Sequence, residues 1–268
     1  MKGLLLALQF LFIIPVRVRG RVTEADLARS AAFFPLAGAL QGLVAAWGAF
    51  LLVPLFSARI GAGLVLALVT AMSGGFHLDG LADTFDALAV KSTGNPEADR
   101  QKRLSVMKES TTGAIGVVAI AMAVLLKYLF MAGLFETCGL RRAAYLLFLA
   151  AAASKWAMVP VLFHGKAARR EGLGRIFVEG CGPGVFFSSV FLLACVSLGA
   201  ALVWSRPPEA EWAIFMLLAW LCLYVLGLLW TLFCGKRFGG ITGDAAGAVG
   251  EMAEMLFLAL AFLWFGRG

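Results

Sequence analysis

Charge is scarce in this sequence. Lysine, arginine, aspartate and glutamate together make up 15% of the 268 residues, where a soluble domain carries about a quarter. With 61% of the chain apolar and a mean hydropathy of +0.90, an ordinary water-soluble fold is excluded. Histidine is rarer still: His77 and His164 are too few and too scattered for an imidazole metal centre. The five cysteines (Cys138, Cys181, Cys195, Cys222 and Cys234) include no C-x-x-C pair. They support neither a zinc site nor a disulfide framework, and read as packing thiols. No internal repeat stands out, so an inverted-repeat transporter gains no support. There is no G-x-S-x-G, no P-loop and no dinucleotide fingerprint placed after a strand, so the hydrolase and nucleotide-fold readings lack support.

What the chain does have is apolar length. Residues 30–56, 60–76, 113–135, 141–163, 184–204, 212–234 and 246–265 form runs that approach or exceed the length needed to cross a bilayer as a helix. The fold expected is all-α: a polytopic membrane bundle of about seven apolar segments in a single domain over 1–268. The second run is short, and its end is expected to be buried in protein rather than lipid. The amino-terminal "MKGLLLALQFLFIIPVRVRG" is too short to span comfortably. It reads as a retained interfacial helix anchored by Arg17, Arg19 and Arg21. A cleaved signal is the competing reading, but arginines stand where small residues should precede a cleavage site.

Lysine and arginine are retained on the cytoplasmic side, so they set orientation. With a cytoplasmic amino terminus and seven spans, most of the 23 basic residues fall on that side. The net charge of +7 then expresses membrane topology, and no nucleic-acid partner is expected. The same topology gathers "GGFHLDGLADTFDA" (74–87), "HGKAARREGLGRIF" (164–177) and "GKRFGGITGD" (235–244) on the cytoplasmic face.

Those segments carry the candidate chemistry. On a helix, Asp79, Asp83 and Asp86 fall at roughly 0°, 40° and −20°, one narrow stripe. Asp244 opens the last span, with Glu251 and Glu254 deeper and all three within an arc of roughly 80°. Crowded carboxylates need compensation. A hard cation such as Mg²⁺ supplies it, commonly through one or two carboxylates plus substrate phosphates. A solvated acidic helix start is the bland alternative. Basic, glycine-flanked loops supply the complement: Arg100, Lys102, Arg103 and Lys108 in 99–116, and Lys166, Arg169, Arg170 and Arg175 around "EGLG". Arginine forks and glycine-flanked amides suit phosphate oxygens, although each cation alone reads equally well as a headgroup anchor. Lys127 and Lys155 lie inside spans and call for partners. Either pairs with Glu251 or Glu254, reaches toward phosphate, or snorkels, the last fitting Lys155 better.

The segments "TAMSGGFHLDGLADTFDAL", "MKESTTGAIG", "REGLGRIF" and "GGITGDAAGAVGEMAE" resemble, in order and spacing, the signature segments of the cobalamin synthase family. These are the membrane-embedded adenosylcobinamide-GDP ribazoletransferases. The resemblance implies transfer of a phosphocobinamide group from adenosylcobinamide-GDP to α-ribazole or its phosphate, releasing GMP, with Mg²⁺ as cofactor. It also implies a multi-pass protein of the cell inner membrane with a cytoplasmic site. The lipid bilayer and the two small-molecule substrates are the partners, and self-association is left open. On this reading Asp79, Asp83, Asp86 and Asp244 hold the metal, and Asp83 and Asp86 take part in catalysis. Asp86 is either a fourth ligand or the base. Substrate contacts are expected at His77, Arg103, Lys108, Ser110, Arg170, Gly172, Gly174, Lys236, Thr242 and Glu251, with Phe76 and Phe85 as candidate ring contacts. Glu109 stands where the family more often has aspartate, and is left out of the metal set.

Two other readings compete. A CDP-alcohol phosphotransferase-like lipid enzyme would want arginine where Asp83 stands. An ion or solute transporter using Asp79, Glu251 and Glu254 would want charges near the midplane and access from both faces.

Overall fold

The computed structural model describes residues 2–109, 111–204 and 210–266, and these form a helical bundle. Six helices, or helical runs, are long and apolar enough to cross a membrane. They are α3 (Phe34–Phe56, continuing a run that begins at Glu24), α7 (Ala114–Thr137), α8 (Gly139–His164), α10 (Pro183–Trp204), α11 (Ala210–Phe238) and α12 (Gly243–Phe265). The second apolar segment differs from the rest. It is a pair, α4 (Ala58–Ser73) and α5 (Phe76–Leu88), bent by 85° where Gly74 and Gly75 both adopt the left-handed conformation, with φ of 64° and 70°. A side chain at either position would resist that turn. α4 therefore ends at Ser73, and α5, with its three aspartates, leaves at nearly a right angle.

α8 is the axis. Almost its whole length is buried, and it packs most heavily against α3 and α12. Small residues allow this. A methyl built on Gly38 would stand 2.4 Å from the Ala151 carbonyl oxygen, and one on Gly42 2.5 Å from that of Phe148. This Gly-x-x-x-Gly face lets α3 lie backbone to backbone on α8, the kind of contact that holds helices together where lipid removes the hydrophobic drive. The outer faces are apolar and exposed, with Trp47, Leu51, Phe187, Phe191, Leu217 and Leu232 all standing more than half open. So much bare apolar surface fits contact with acyl chains rather than water.

The amino-terminal helix α1 (Lys2–Leu11) buries Leu6, Ala7 and Leu11 against α2 (Glu24–Ser30) and α3. Lys2 clamps it by donating to Asp26 Oδ2 at 2.7 Å and to the Arg21 carbonyl at 2.7 Å. Two basic stretches expected as loops contain helices. α6 (Pro96–Val106) starts on an Asn95 cap that receives the Glu97 and Ala98 N–H groups, with proline in its first turn. α9 (Leu173–Gly180) starts at Gly172, whose φ is +98°. Both are short, amphipathic and rich in charge, a pattern that a search for long apolar runs passes over.

Candidate active site

The ends of these helices meet at one end of the bundle, where α3, α7, α10 and α12 begin and α4, α8 and α11 end. α5 crosses this end and packs antiparallel on α12. They touch at Gly80, where an added methyl would stand 2.9 Å from the Asp244 carbonyl oxygen and 3.1 Å from its Cα. Three residues back, His77 lies against Gly247. Asp79 and Asp83 flank Gly80, so the acidic stripe of α5 and the acidic start of α12 share one corner. The charges acting on Asp83 are those of Asp79, Asp244, Asp86 and Arg169.

The glycine-rich loops lock together beside that corner. The Ile241 N–H donates to the Lys166 carbonyl at 2.7 Å and the Ala168 N–H to the Ile241 carbonyl at 3.0 Å, a single parallel bridge. A methyl on Gly174 would stand 2.7 Å from the Gly243 nitrogen, so the amino termini of α9 and α12 lie side by side. Helix starts of this kind present unpaired N–H groups and a partial positive charge, which favour anions. A cavity of about 210 Å³ opens here, with Arg169, Glu171, Gly172, Gly174, Arg175, Thr242, Gly243 and Asp244 in its lining. Its apolar lining is Phe10, Phe34, Phe76, Phe177, Met158, Leu162, Leu173, Ile241 and Ala246.

The expected site residues separate into groups. Asp79 is exposed, while Asp83 and Asp244 are half-buried. Asp244 Oδ2 has no hydrogen-bond partner among the described residues, and Arg169 Nη1 stands 3.5 Å away. Asp86 is engaged: its two carboxylate oxygens accept the N–H groups of Gly113 at 2.7 Å and Gly116 at 2.8 Å, fixing the start of α7. Thr242 lines the cavity and also caps α12 by accepting the Ala245 N–H at 3.0 Å. Gly172 and Gly174 shape the cavity rim. Arg103 is buried and donates to the Arg237 carbonyl at 3.4 Å, bracing α6 against the end of α11. Lys108, Arg170 and Lys236 are exposed, and none of the three lines the cavity. Ser110 lies outside the described residues.

His77 and Glu251 turn inward instead. His77 is 1% exposed, and its Nδ1 shares a hydrogen bond with Lys155 Nζ at 3.0 Å. Glu251 accepts from Lys127 at 2.5 Å, and Glu254 takes a second bond from the same ammonium at 2.7 Å. Lys155 does not snorkel; it is 1% exposed at the centre of the bundle. Phe76 is on the cavity wall, whereas Phe85 packs into the core cluster.

Sequence reasoning weighted Arg170 and passed over its neighbour Arg169, the guanidinium that faces Asp244 and also donates to the Leu104 carbonyl at 3.3 Å. It also missed the aromatic wall supplied by Phe10, Phe34 and Phe177. Adjacent arginines in a loop carry no periodicity that says which one points inward. The phenylalanines sit in apolar runs where every residue looks like core.

Among the described residues, no three His, Cys, Asp or Glu side chains converge tightly enough to hold a metal ion by themselves. The donors present still suit a hard cation: carboxylates on two apposed helix ends, one of them with a buried, unpaired oxygen. Mg²⁺ commonly uses only one or two protein carboxylates and completes its shell with water and substrate phosphate. That is the fit the corner offers.

Fold and site together define a multi-pass membrane protein with an acidic and basic pocket of the kind used to handle phosphorylated substrates. The chain matches the family described as cobalamin-5-phosphate synthase over residues 3–262, and it belongs to that family. It is 34% identical over 255 residues to the adenosylcobinamide-GDP ribazoletransferase of Thermodesulfovibrio yellowstonii, covering 95% of this chain and 93% of the relative. It is 36% identical over 269 residues to the protein of that name from Geotalea daltonii, covering 97% of each. A third relative of that name, from Pseudomonas entomophila, is 36% identical over 260 residues, covering 94% of this chain and 95% of the relative. No solved structure matches.

Proposed function

We propose that this protein is an adenosylcobinamide-GDP ribazoletransferase that depends on Mg²⁺ and works on the cytoplasmic face of the cell inner membrane. The reaction moves the phosphocobinamide group to a hydroxyl of α-ribazole or its 5′-phosphate. A new P–O bond forms to that hydroxyl, the phosphoanhydride bond breaks, and GMP leaves.

One observation carries the reading: Gly80 seats directly on Asp244, which puts the acid-bearing ends of two helices far apart in sequence into one corner beside a phosphate-suited pocket. Phosphoryl transfer needs positioning and charge neutralisation more than covalent help. Asp79, Asp83 and Asp244 would hold the cation, which supplies charge neutralisation at the diphosphate when bound. Arg169 and the adjacent starts of α9 and α12 place positive charge and N–H donors where phosphate oxygens would lie. Asp86, bound to two backbone N–H groups, keeps α5 and α7 in register. Asp79 or Asp83, whichever keeps an oxygen free of the cation, would take the proton of the attacking hydroxyl.

The CDP-alcohol phosphotransferase and transporter readings gain no observation from the fold. The discriminating experiment incubates purified protein with adenosylcobinamide-GDP, α-ribazole and Mg²⁺. Release of GMP with a new corrinoid product, abolished by chelation and restored by added Mg²⁺, is expected. Uptake into vesicles without turnover would support a transporter instead.

A further inference from the structure

The lining of the cavity beside Asp244 combines two chemistries. Arg169, Glu171, Arg175, Thr242, Asp244 and the glycine-rich loops are its polar part. Phe10, Phe34, Phe76, Phe177, Met158 and Leu162 carry no N–H or O–H donor on a side chain. The rings form one cluster: Phe10 lies 5.8 Å from Phe34, 6.0 Å from Phe76 and 4.6 Å from Phe177, centroid to centroid. Phe34 and Phe177 form a buried floor at 0% and 2% exposure, and Phe76, 53% exposed, forms the rim. A wall of this kind takes the flat face of an aromatic ring.

Size and chemistry narrow the occupant. At about 210 Å³ the cavity is smaller than pockets for drug-sized ligands, roughly 300–1,000 Å³, so it takes one fragment of a substrate and not a corrin macrocycle. A bicyclic base with little hydrogen-bonding capacity suits the phenylalanine part. The sugar it carries would then project toward Asp244, where Gly80 brings the carboxylates of α5.

We infer that this cavity is the subsite for the base of the acceptor nucleoside, an apolar benzimidazole-type ring on a ribose, with the amino-terminal helix α1 supplying part of its wall through Phe10. The inference rests on the transferase reading above and adds to it which substrate enters here. It gives α1 a role in recognition beyond anchoring, and it assigns the guanine and the corrin ring to surfaces outside this cavity, with the diphosphate at its polar lining.

The test measures α-ribazole binding to the purified full-length protein by calorimetry, without corrinoid, alongside steady-state kinetics. Phe76→Ala, at an exposed position where folding is retained, and Phe10→Leu are compared with wild type. Wild type is expected to bind α-ribazole alone. Phe76→Ala should weaken that binding about tenfold, the loss typical of one stacking contact, and raise the KM for α-ribazole by the same factor. Its kcat and its KM for adenosylcobinamide-GDP should stay within about twofold of wild type. Excess GMP should not displace α-ribazole.

Unchanged α-ribazole binding in both variants overturns the assignment, as does displacement by GMP together with a raised KM for the corrinoid substrate. Failure of the wild type to bind α-ribazole overturns it as well. A wild type that binds α-ribazole through these rings but releases no GMP counts against the transfer reaction while supporting the subsite. Full turnover with an unaltered α-ribazole KM in both variants removes the subsite and leaves the reaction intact.

Discussion

Two clusters of charge lie on the same helices and are handled in opposite ways. Deep in the bundle, Lys127 bridges Glu251 and Glu254 at 2.5 and 2.7 Å, and Lys155 shares a hydrogen bond with His77. At the bundle's end, Asp79, Asp83 and Asp244 gather around Gly80, with Arg169 at 3.5 Å from Asp244 as their near counter-charge. α5 and α12 contribute to both. Charges that lipid or protein would penalise are paired within hydrogen-bond reach, and they hold the bundle together. Like charges kept together without full compensation point to a ligand that completes them. Pairing is therefore a better guide to role than burial or residue type: Glu251 and Asp244 lie on one helix and do different work.

That contrast can be broken from either side. The largest effect is expected in the paired cluster. Lys127→Met takes the hydrogen-bonded cation from buried Glu251 and part-buried Glu254, and removal of one partner of a buried pair costs about 3–5 kcal/mol. The variant should accumulate poorly and melt early in detergent. Adding Glu251→Gln should recover part of the loss, which a thermal-shift series would show. In the uncompensated cluster, Asp83→Asn should do the reverse. Insertion and melting are expected to stay near wild type while turnover falls about 10²–10³-fold, the range for removing one preorganised electrostatic group.

Gly80→Ala tests the contact between the two regions' shared helices. Its methyl would meet the Asp244 backbone at 2.9 Å, which neither helix can relieve by rotating a side chain. Displacement of a reacting group by about 1 Å costs on the order of a hundredfold. Activity should drop by ten- to a hundredfold with protein levels maintained.

The smallest effect concerns Asp99, in the first turn of α6, which holds the connection from α5. The Ser92 hydroxyl, the Thr93 N–H and the Thr93 hydroxyl all donate to its carboxylate and hold its pKa down to about 2. A depressed carboxylate stabilises above its ordinary value of 3.8, and that contribution is lost as pH falls through about 2. Deuterium exchange at the amides of residues 91–95, corrected for the intrinsic rate at each pH, should therefore rise as pH is lowered from about 4 to about 2. In Asp99→Asn it should already be fast at the upper end.

The membrane architecture was legible because lipid imposes long apolar runs: α3, α7, α8, α10, α11 and α12 begin and end within a few residues of the expected segments. The α5 stripe was legible for the same reason of periodicity. Less was visible where meaning depends on distant backbone. Asp86 reads like its neighbours Asp79 and Asp83, but the start of α7 claims both its oxygens. Lys155 finds His77, 78 positions away, and no local pattern announces that pair. The 85° turn at Gly74–Gly75 was hinted at by a short segment, but its angle follows from how α5 lies on α12.

A direct measurement of the central claim compares GMP release by wild type, Asp83→Asn and Asp244→Asn across a Mg²⁺ titration, using protein of matched thermal stability. If the ends of α5 and α12 form one cation-dependent centre, both variants lose turnover together and both need far more Mg²⁺ for whatever activity remains. If either variant keeps wild-type turnover and an unchanged Mg²⁺ dependence, the two carboxylates do not serve a common centre and the account fails.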